Sequence, residues 1–264
     1  MNLFWKASYS LFQREVLRFV RQKNRIVGAL GTPLVFWFFI GSGLQNTVRQ
    51  GSLMPAGQTS SIDYLQYFFP GTIVLILLFT AIFSTISIIE DRQQGFLQGV
   101  LVSPIPRTAI VFGKLLSGAV LATAQGLIFI LLAPLMHIHF GILDGVLITL
   151  MLFFLSFGLT GLGFLFAWTL DSTQGFHAIM NLCLMPLWLV SGSLFPVDSA
   201  PHWLKAVMML NPLTYSVAIL HRGFFHTEST SILYSYPLSF SITLIFCLIM
   251  FAGSLKLTTK TSRS

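Results

Sequence analysis

Charged residues are scarce in this sequence. They make up 9% of its 264 residues, against 55% hydrophobic, and the mean hydropathy is +0.81. A soluble domain carries about 25% charged residues. This chain has too few to cover a surface facing water, which excludes a soluble globular protein and makes lipid part of its solvent. Alternating segments of about ten residues are also missing, which argues against a transmembrane barrel. The apolar runs are long and continuous instead, as helices with internally satisfied backbones require. Cysteine is limited to Cys183 and Cys247, both inside apolar runs, where no structural disulfide is expected. A secretory leader is not visible, because the first 25 residues are basic and mixed.

What is present is a series of apolar runs, each long enough for a helix of about 20 residues to cross a bilayer. The fold expected is an all-α membrane protein, one domain over 1–264, with six transmembrane helices near 26–44, 67–89, 111–136, 145–169, 176–197 and 232–253. Basic residues set its orientation. Lys6, Arg14, Arg18, Arg21, Lys23 and Arg25 precede the first span; Arg92, Arg107 and Lys114 lie between the second and third; Lys256, Lys260 and Arg263 follow the last. Only Arg49, Lys205 and Arg222 fall on the other side, so the positive-inside rule puts both termini in the cytoplasm. This distribution also accounts for the net charge of +7 without nucleic acid.

Residues 1–25 form a separate element. Trp5, Tyr9, Phe12, Val16, Phe19 and Val20 recur at steps of three and four, with Lys6, Arg14, Arg18 and Arg21 opposite. That is the pattern of an amphipathic helix in the headgroup plane; a helix packed on a partner is the alternative.

Several chemistries are missing. No G-x-x-x-x-G-K-[ST] phosphate loop occurs; Gly113-Lys114 is followed by Leu115 and lacks the upstream glycine. Ionisable residues near the bilayer midplane, the usual mark of ion-coupled carriers, are not apparent, since Lys114, Asp144, Asp171 and His177 all lie near span ends. No His/Asp/Glu/Cys grouping has metal-ligand spacing, and no acid–base or nucleophile constellation suggests an enzyme. Transport by this chain would need outside power.

Two non-spanning segments remain. Glu90–Arg107 has a polar start, an apolar side of Phe96, Leu97, Val100 and Leu101, and a stop at Ser103-Pro104-Ile105-Pro106. It reads as a short cytosolic helix able to fill a groove on a partner, or as an interfacial loop. Ser191–Arg222 is broken by Pro196, Pro201 and Pro212 yet apolar, with Trp203, Leu204, Val207, Met208 and Leu210. It reads as a re-entrant or extracellular helical hairpin, or as a surface loop with an aromatic anchor.

The two segments together resemble the permease subunits of ABC-2 type transporters, which include bacterial drug, polysaccharide and lipo-oligosaccharide exporters. The second matches at Gly192, Phe195-Pro196, Pro201, Trp203-Leu204, Asn211-Pro212-Leu213-Thr214-Tyr215 and Arg222. The first matches at Glu90, Gly95, Leu97, Leu101, Ser103 and Pro104, and the resemblance makes it a coupling helix docked on an ATPase, with Asp91 and Phe96 beside those residues. One departure stands out: Gln98 occupies a position where the family often carries an acidic residue. The resemblance further implies a multi-pass protein of the bacterial cytoplasmic (inner) membrane, paired with a second permease copy and two ATPase subunits. ATP and magnesium would belong to those subunits, with no cofactor, metal or nucleic acid on this chain. It places a substrate path along the second and fifth spans, where Phe79, Thr80, Phe83, Ser84 and Ser87, then Asn181, Leu184 and Trp188, are candidates for lining it or for ordinary packing. A self-sufficient secondary carrier or channel is the alternative.

Overall fold

The computed structural model describes residues 3–49, 63–225 and 235–260; Arg263 therefore lies outside the described residues, as does the start of the expected last span. Eleven α-helices account for most of the described residues, with no strand among them: α1 (Leu3–Arg21), α2 (Lys23–Arg49), α3 (Tyr64–Ser84), α4 (Ile86–Gln93), α5 (Phe96–Val102), α6 (Arg107–Ile130), α7 (Ile142–Thr169), α8 (Thr173–Leu189), α9 (His202–Leu210), α10 (Pro212–Phe225) and α11 (Tyr236–Lys260).

Five stretches are long and apolar enough to cross a membrane: Arg25–Leu44 in α2, Tyr64–Gln93 through α3 and α4, then α6, α7 and α11. A sixth exists if α9 and α10, which meet at 92°, form one broken span. The expected span over 176–197 corresponds to α8, which stops at Leu189 after 17 residues, a rise of roughly 26 Å. Beyond it Gly192 adopts φ +83, a left-handed conformation that glycine takes without steric cost, and Pro196 follows, so the chain turns instead of continuing.

The expected span over 67–89 falls within Tyr64–Gln93, where the single residue Thr85 separates α3 from α4. α3 ends at Ser84, and the hydroxyls of Ser84 and Thr85 donate to the Ala81 and Ile82 carbonyls at 2.7 and 2.6 Å. Such back-bonding competes with the helix ladder and bends helices. α4 begins directly after it.

α3 is the axis of the bundle. Every residue from Phe68 to Ile82 is buried, and α2, α6, α7 and α10 surround it. A helix apolar on all sides belongs at the centre. The outer helices show apolar residues to their surroundings: Val35, Phe38 and Phe39 on α2, and Leu244, Ile245, Leu248 and Ile249 on α11. Exposed apolar surface on this scale fits a lipid solvent.

α1 lies along α6 with Ala7, Ser8, Leu11, Glu15 and Phe19 turned inward. Trp5, Tyr9 and Val20 are exposed and Phe12 and Val16 half-buried. The apolar stripe read from sequence is thus one flank of α1, the arginines another, and the face between them packs on the chain itself.

Candidate functional site

Four consecutive residues at the end of α4 together bind α1, α2, α6 and the end of α7. Glu90 pairs with Arg18 of α1 at 2.6 Å and Arg25 of α2 at 3.1 Å. Asp91, 0% exposed, accepts from Arg14 (2.6 and 3.0 Å), Arg18 (2.7 Å) and Lys114 of α6 (2.7 Å). Arg92 reaches the C-terminal carbonyls of α7, and Gln93 donates to the Asp171 carbonyl at 2.9 Å. Lys114 completes the group, donating to Glu15 at 2.8 Å and Ser87 at 3.2 Å.

The electrostatics are nearly balanced. Arg14, Arg18, Arg25 and Lys114 face Glu15, Glu90 and Asp91, leaving one positive charge in excess. Buried ions require this: an unpaired one costs several kcal/mol. The Arg14 guanidinium is held above its ordinary pKa, chiefly by its hydrogen bond to Asp91 and despite partial burial. A crevice lined by Glu15, Arg18, Arg25, Lys114, Ser84, Ser87 and Ser117 runs from the cluster into the bundle.

Three of the chain's eight acidic residues meet in this cluster. Glu15 carried a signal in the sequence, as the lone acid before Asp63 in a strongly basic stretch. Lys114 was visible only as a cation near a span end.

α5 hangs from this clasp. Gly95, at φ +75, makes the left-handed turn into it. Ser103, whose hydroxyl donates to the Val100 carbonyl at 2.6 Å, and Pro104 end it. The residues expected to meet an ATPase divide. Leu97 is buried and Leu101 packs against the core, while Asp91 is consumed by the clasp, so these three serve the chain's own packing. Glu90 is half-buried in its ion pairs. Phe96 is exposed, with the Arg14 guanidinium 3.7 Å from its ring centre, and Val102 is 86% exposed. The outward face of α5 is therefore Phe96, Gln98, Gly99 and Val102.

At the other end of α3, the second motif builds a hairpin. The hydroxyls of Tyr64 and Tyr67 donate to the carbonyls of Leu194 and Gly192, both at 2.9 Å, and the Trp188 indole donates to Gly71 at 2.9 Å. Phe195 packs beside Val197, Met208 and Tyr215, and Pro196 and Pro201 open the 3-10 turn and α9. Asn211 makes the right-angle bend: its amide donates to Leu187 of α8 at 2.6 Å and its carbonyl accepts from Leu213 of α10 at 3.0 Å. Pro212 starts α10, Tyr215 donates to the Met209 carbonyl at 2.9 Å, and Arg222 stacks on Tyr236 at 4.6 Å. Trp203 is 70% exposed on α9.

The proposed substrate-path residues also divide. Phe79, Thr80, Ser87, Leu184 and Trp188 are buried within the chain. The Thr80–Ser84–Ser87 face looks toward α6: Thr80 bonds Gln125, Ser84 lies against Gly118, and Ser87 bonds Lys114. Asn181 is exposed on α8, and Phe83 is half-buried with its ring tilted at 50° against exposed His177, ring centres 4.8 Å apart. Of the eight, Phe83, Ser84 and Asn181 reach a surface.

Comparison with known proteins places this architecture. A family model described as ABC-2 type transporter matches residues 7–225. The chain is similar to a transport permease named ycf38 from Cyanophora paradoxa, 26% identical over 227 residues that cover 85% of this chain and 76% of that protein. It is similar to the inner membrane transport permease YadH of Escherichia coli K12, 25% identical over 234 residues covering 85% of each. It is also 28% identical over 178 residues to YbhR of the same organism, named as a multidrug ABC transporter permease; that match covers 66% of this chain and 48% of YbhR, about half its length. With the family match running from Ala7 to Phe225, through α1, the clasp and the hairpin, the chain belongs to the ABC-2 type transporter family as a membrane subunit of an ABC transporter.

Proposed function

We propose that this chain is the permease of an ATP-driven exporter, moving a drug-like, lipid-linked or glycan substrate out of the cytoplasm with ATP hydrolysed by a separate subunit. The observation that carries the reading is the position of α5. A short helix with Phe96 and Val102 exposed follows, after Gln94 and Gly95, from Glu90–Gln93, which are bonded to α1, α2, α6 and α7. A push on α5 is delivered to most of the bundle at once, as rigid-body coupling requires.

The same end of the bundle gathers the cations. Arg107 at the start of α6 donates to the Thr258 carbonyl at the end of α11, beside Lys256 and Lys260. This supports a cytoplasmic location for the α5 end and both termini, in a bacterial inner membrane. The exposed side of α8 carries His177 and Asn181 among apolar residues such as Ile179 and Leu182, and these two polar side chains favour a second copy of the chain over lipid beside them, with Phe83 and Asn181 next to the substrate path. Two ATPase subunits then serve two permeases, and bind the ATP and magnesium.

A specific observation favours the alternative, a self-powered carrier: Lys114, Glu15 and Asp91 are buried charges of the kind such carriers use. Against it, they sit at the end of the span and every one is paired. Purification of the tagged chain from its native host tests the two readings. The exporter reading expects a separate ATPase subunit in the complex and vanadate-sensitive ATP hydrolysis; transport by the chain alone in liposomes without ATP would overturn it.

A further inference from the structure

Arg92 does something the other clasp residues do not. Its guanidinium caps the end of α7, donating to the carbonyls of Ala167 (3.4 Å), Trp168 and Leu170 (3.2 Å), and it pairs with the Asp171 carboxylate at 2.8 Å. Those carbonyls are the acceptors a helix C-terminus leaves unsatisfied, and the site favours a cation. Gln93 adds a bond to the Asp171 carbonyl. The next residue, Ser172, is the N-cap of α8, its hydroxyl accepting from Gly175 at 3.3 Å. One residue therefore separates the end of α4 from the cap of α8.

α8 is placed to respond. It meets the bundle along a single stripe, with Phe176, Met180, Leu184 and Trp188 buried at four-residue steps. Its other sides, with His177, Ile179, Asn181, Leu182 and Cys183, are exposed. A helix held on one line of side chains has fewer buried contacts to break than α3 or α6, and few buried contacts mark the low-stability end of a structure.

We propose that Arg92 is the positioning residue through which movement of α4 and α5 is passed to α8, by gripping the α7–α8 turn with a planar fork of donors. The proposal rests on the exporter reading, because it needs an ATPase to move α5. Lysine cannot stand in for the fork: its ammonium offers a point charge, without the guanidinium's planar set of donors.

Cys183 supplies the reporter. It is exposed on α8, whereas Cys247 is buried with its thiol donating to the Phe154 carbonyl at 2.7 Å. In the complex with its ATPase subunit, the rate of maleimide labelling at Cys183 is measured without nucleotide and with magnesium-ATP plus vanadate. The wild-type complex is expected to show a nucleotide-dependent difference. Arg92→Gln abolishes that difference while the complex still assembles and hydrolyses ATP with unchanged KM, and Arg92→Lys retains only part of it. Should Arg92→Gln prevent assembly, the pair Gln93→Ala and Asp171→Asn, both at exposed positions, is expected to diminish the difference. A full wild-type difference in Arg92→Gln, or in the substitute pair, overturns the proposal. So does an assembled, hydrolysing wild-type complex whose Cys183 labelling ignores nucleotide. Failure of any ATPase to accompany the chain is a separate outcome and counts against the exporter reading.

Discussion

The two ends of the central helix are fastened by different chemistry. At the α4 end the bonds are ionic and shared: three carboxylates and four cations from α1, α2, α4 and α6 form one connected group. At the other end they are neutral and separate: Tyr64, Tyr67, Trp188 and Asn211 each reach a backbone carbonyl across a turn. The difference bears on how each end moves. In a shared ionic group, a displaced member drags its partners, because no buried charge is left without a counter-charge at low cost. Separate neutral bonds exchange one at a time, each for about 0.5–1.5 kcal/mol. The first arrangement suits the force-transmitting end of the proposed exporter.

This contrast can be broken from either side. Lys114→Met should have the largest effect, because removing one member of a buried ionic group costs about 3–5 kcal/mol. Thermal unfolding in detergent should fall markedly, and hydrogen exchange should rise in α1, α4 and α6 while the hairpin keeps its protection. Asn211→Ala removes both side-chain bonds at the bend between α9 and α10, one to Leu187 of α8 and one to Leu213 of α10, for a cost of about 1–3 kcal/mol. Its exchange increase should be confined to residues 187–215, with the ionic end unchanged. Tyr67→Phe deletes one bond to Gly192 and should cost about 0.5–1.5 kcal/mol, read as faster exchange near residues 190–197. Equal loosening of both ends by Lys114→Met and Asn211→Ala would erase the distinction.

Much of the helical layout was legible in the sequence, because membrane helices follow apolar run length and little else. The one-residue step between α3 and α4 at Thr85 was not, since nothing in the hydropathy of Ile82–Ile89 marks it. The short α8 was hidden because Val190 extends its apolar run and Leu194 and Phe195 resume it after only Ser191, Gly192 and Ser193. Pairings in the clasp were beyond the sequence for another reason. Asp91 and Arg14 are 77 residues apart and Lys114 and Glu15 are 99 apart, and only the packing of α1 against α6 brings them together. Asp91 was placed beside the coupling residues by sequence; in the fold it is buried and accepts from Arg14, Arg18 and Lys114. The hairpin motif was legible as a pattern, and the structure adds what Gly192 and Asn211 do in it: a left-handed turn and a two-sided bend.

The central claim is that power enters this chain through α5, from another polypeptide. Its most direct test is a photoreactive residue placed at Val102, with a second placed at Trp203 on the opposite, hairpin end, irradiated in native membranes. The account predicts a cross-link from Val102 to an ATP-binding subunit and none from Trp203. No capture at Val102, or capture of the ATPase from Trp203, would contradict it.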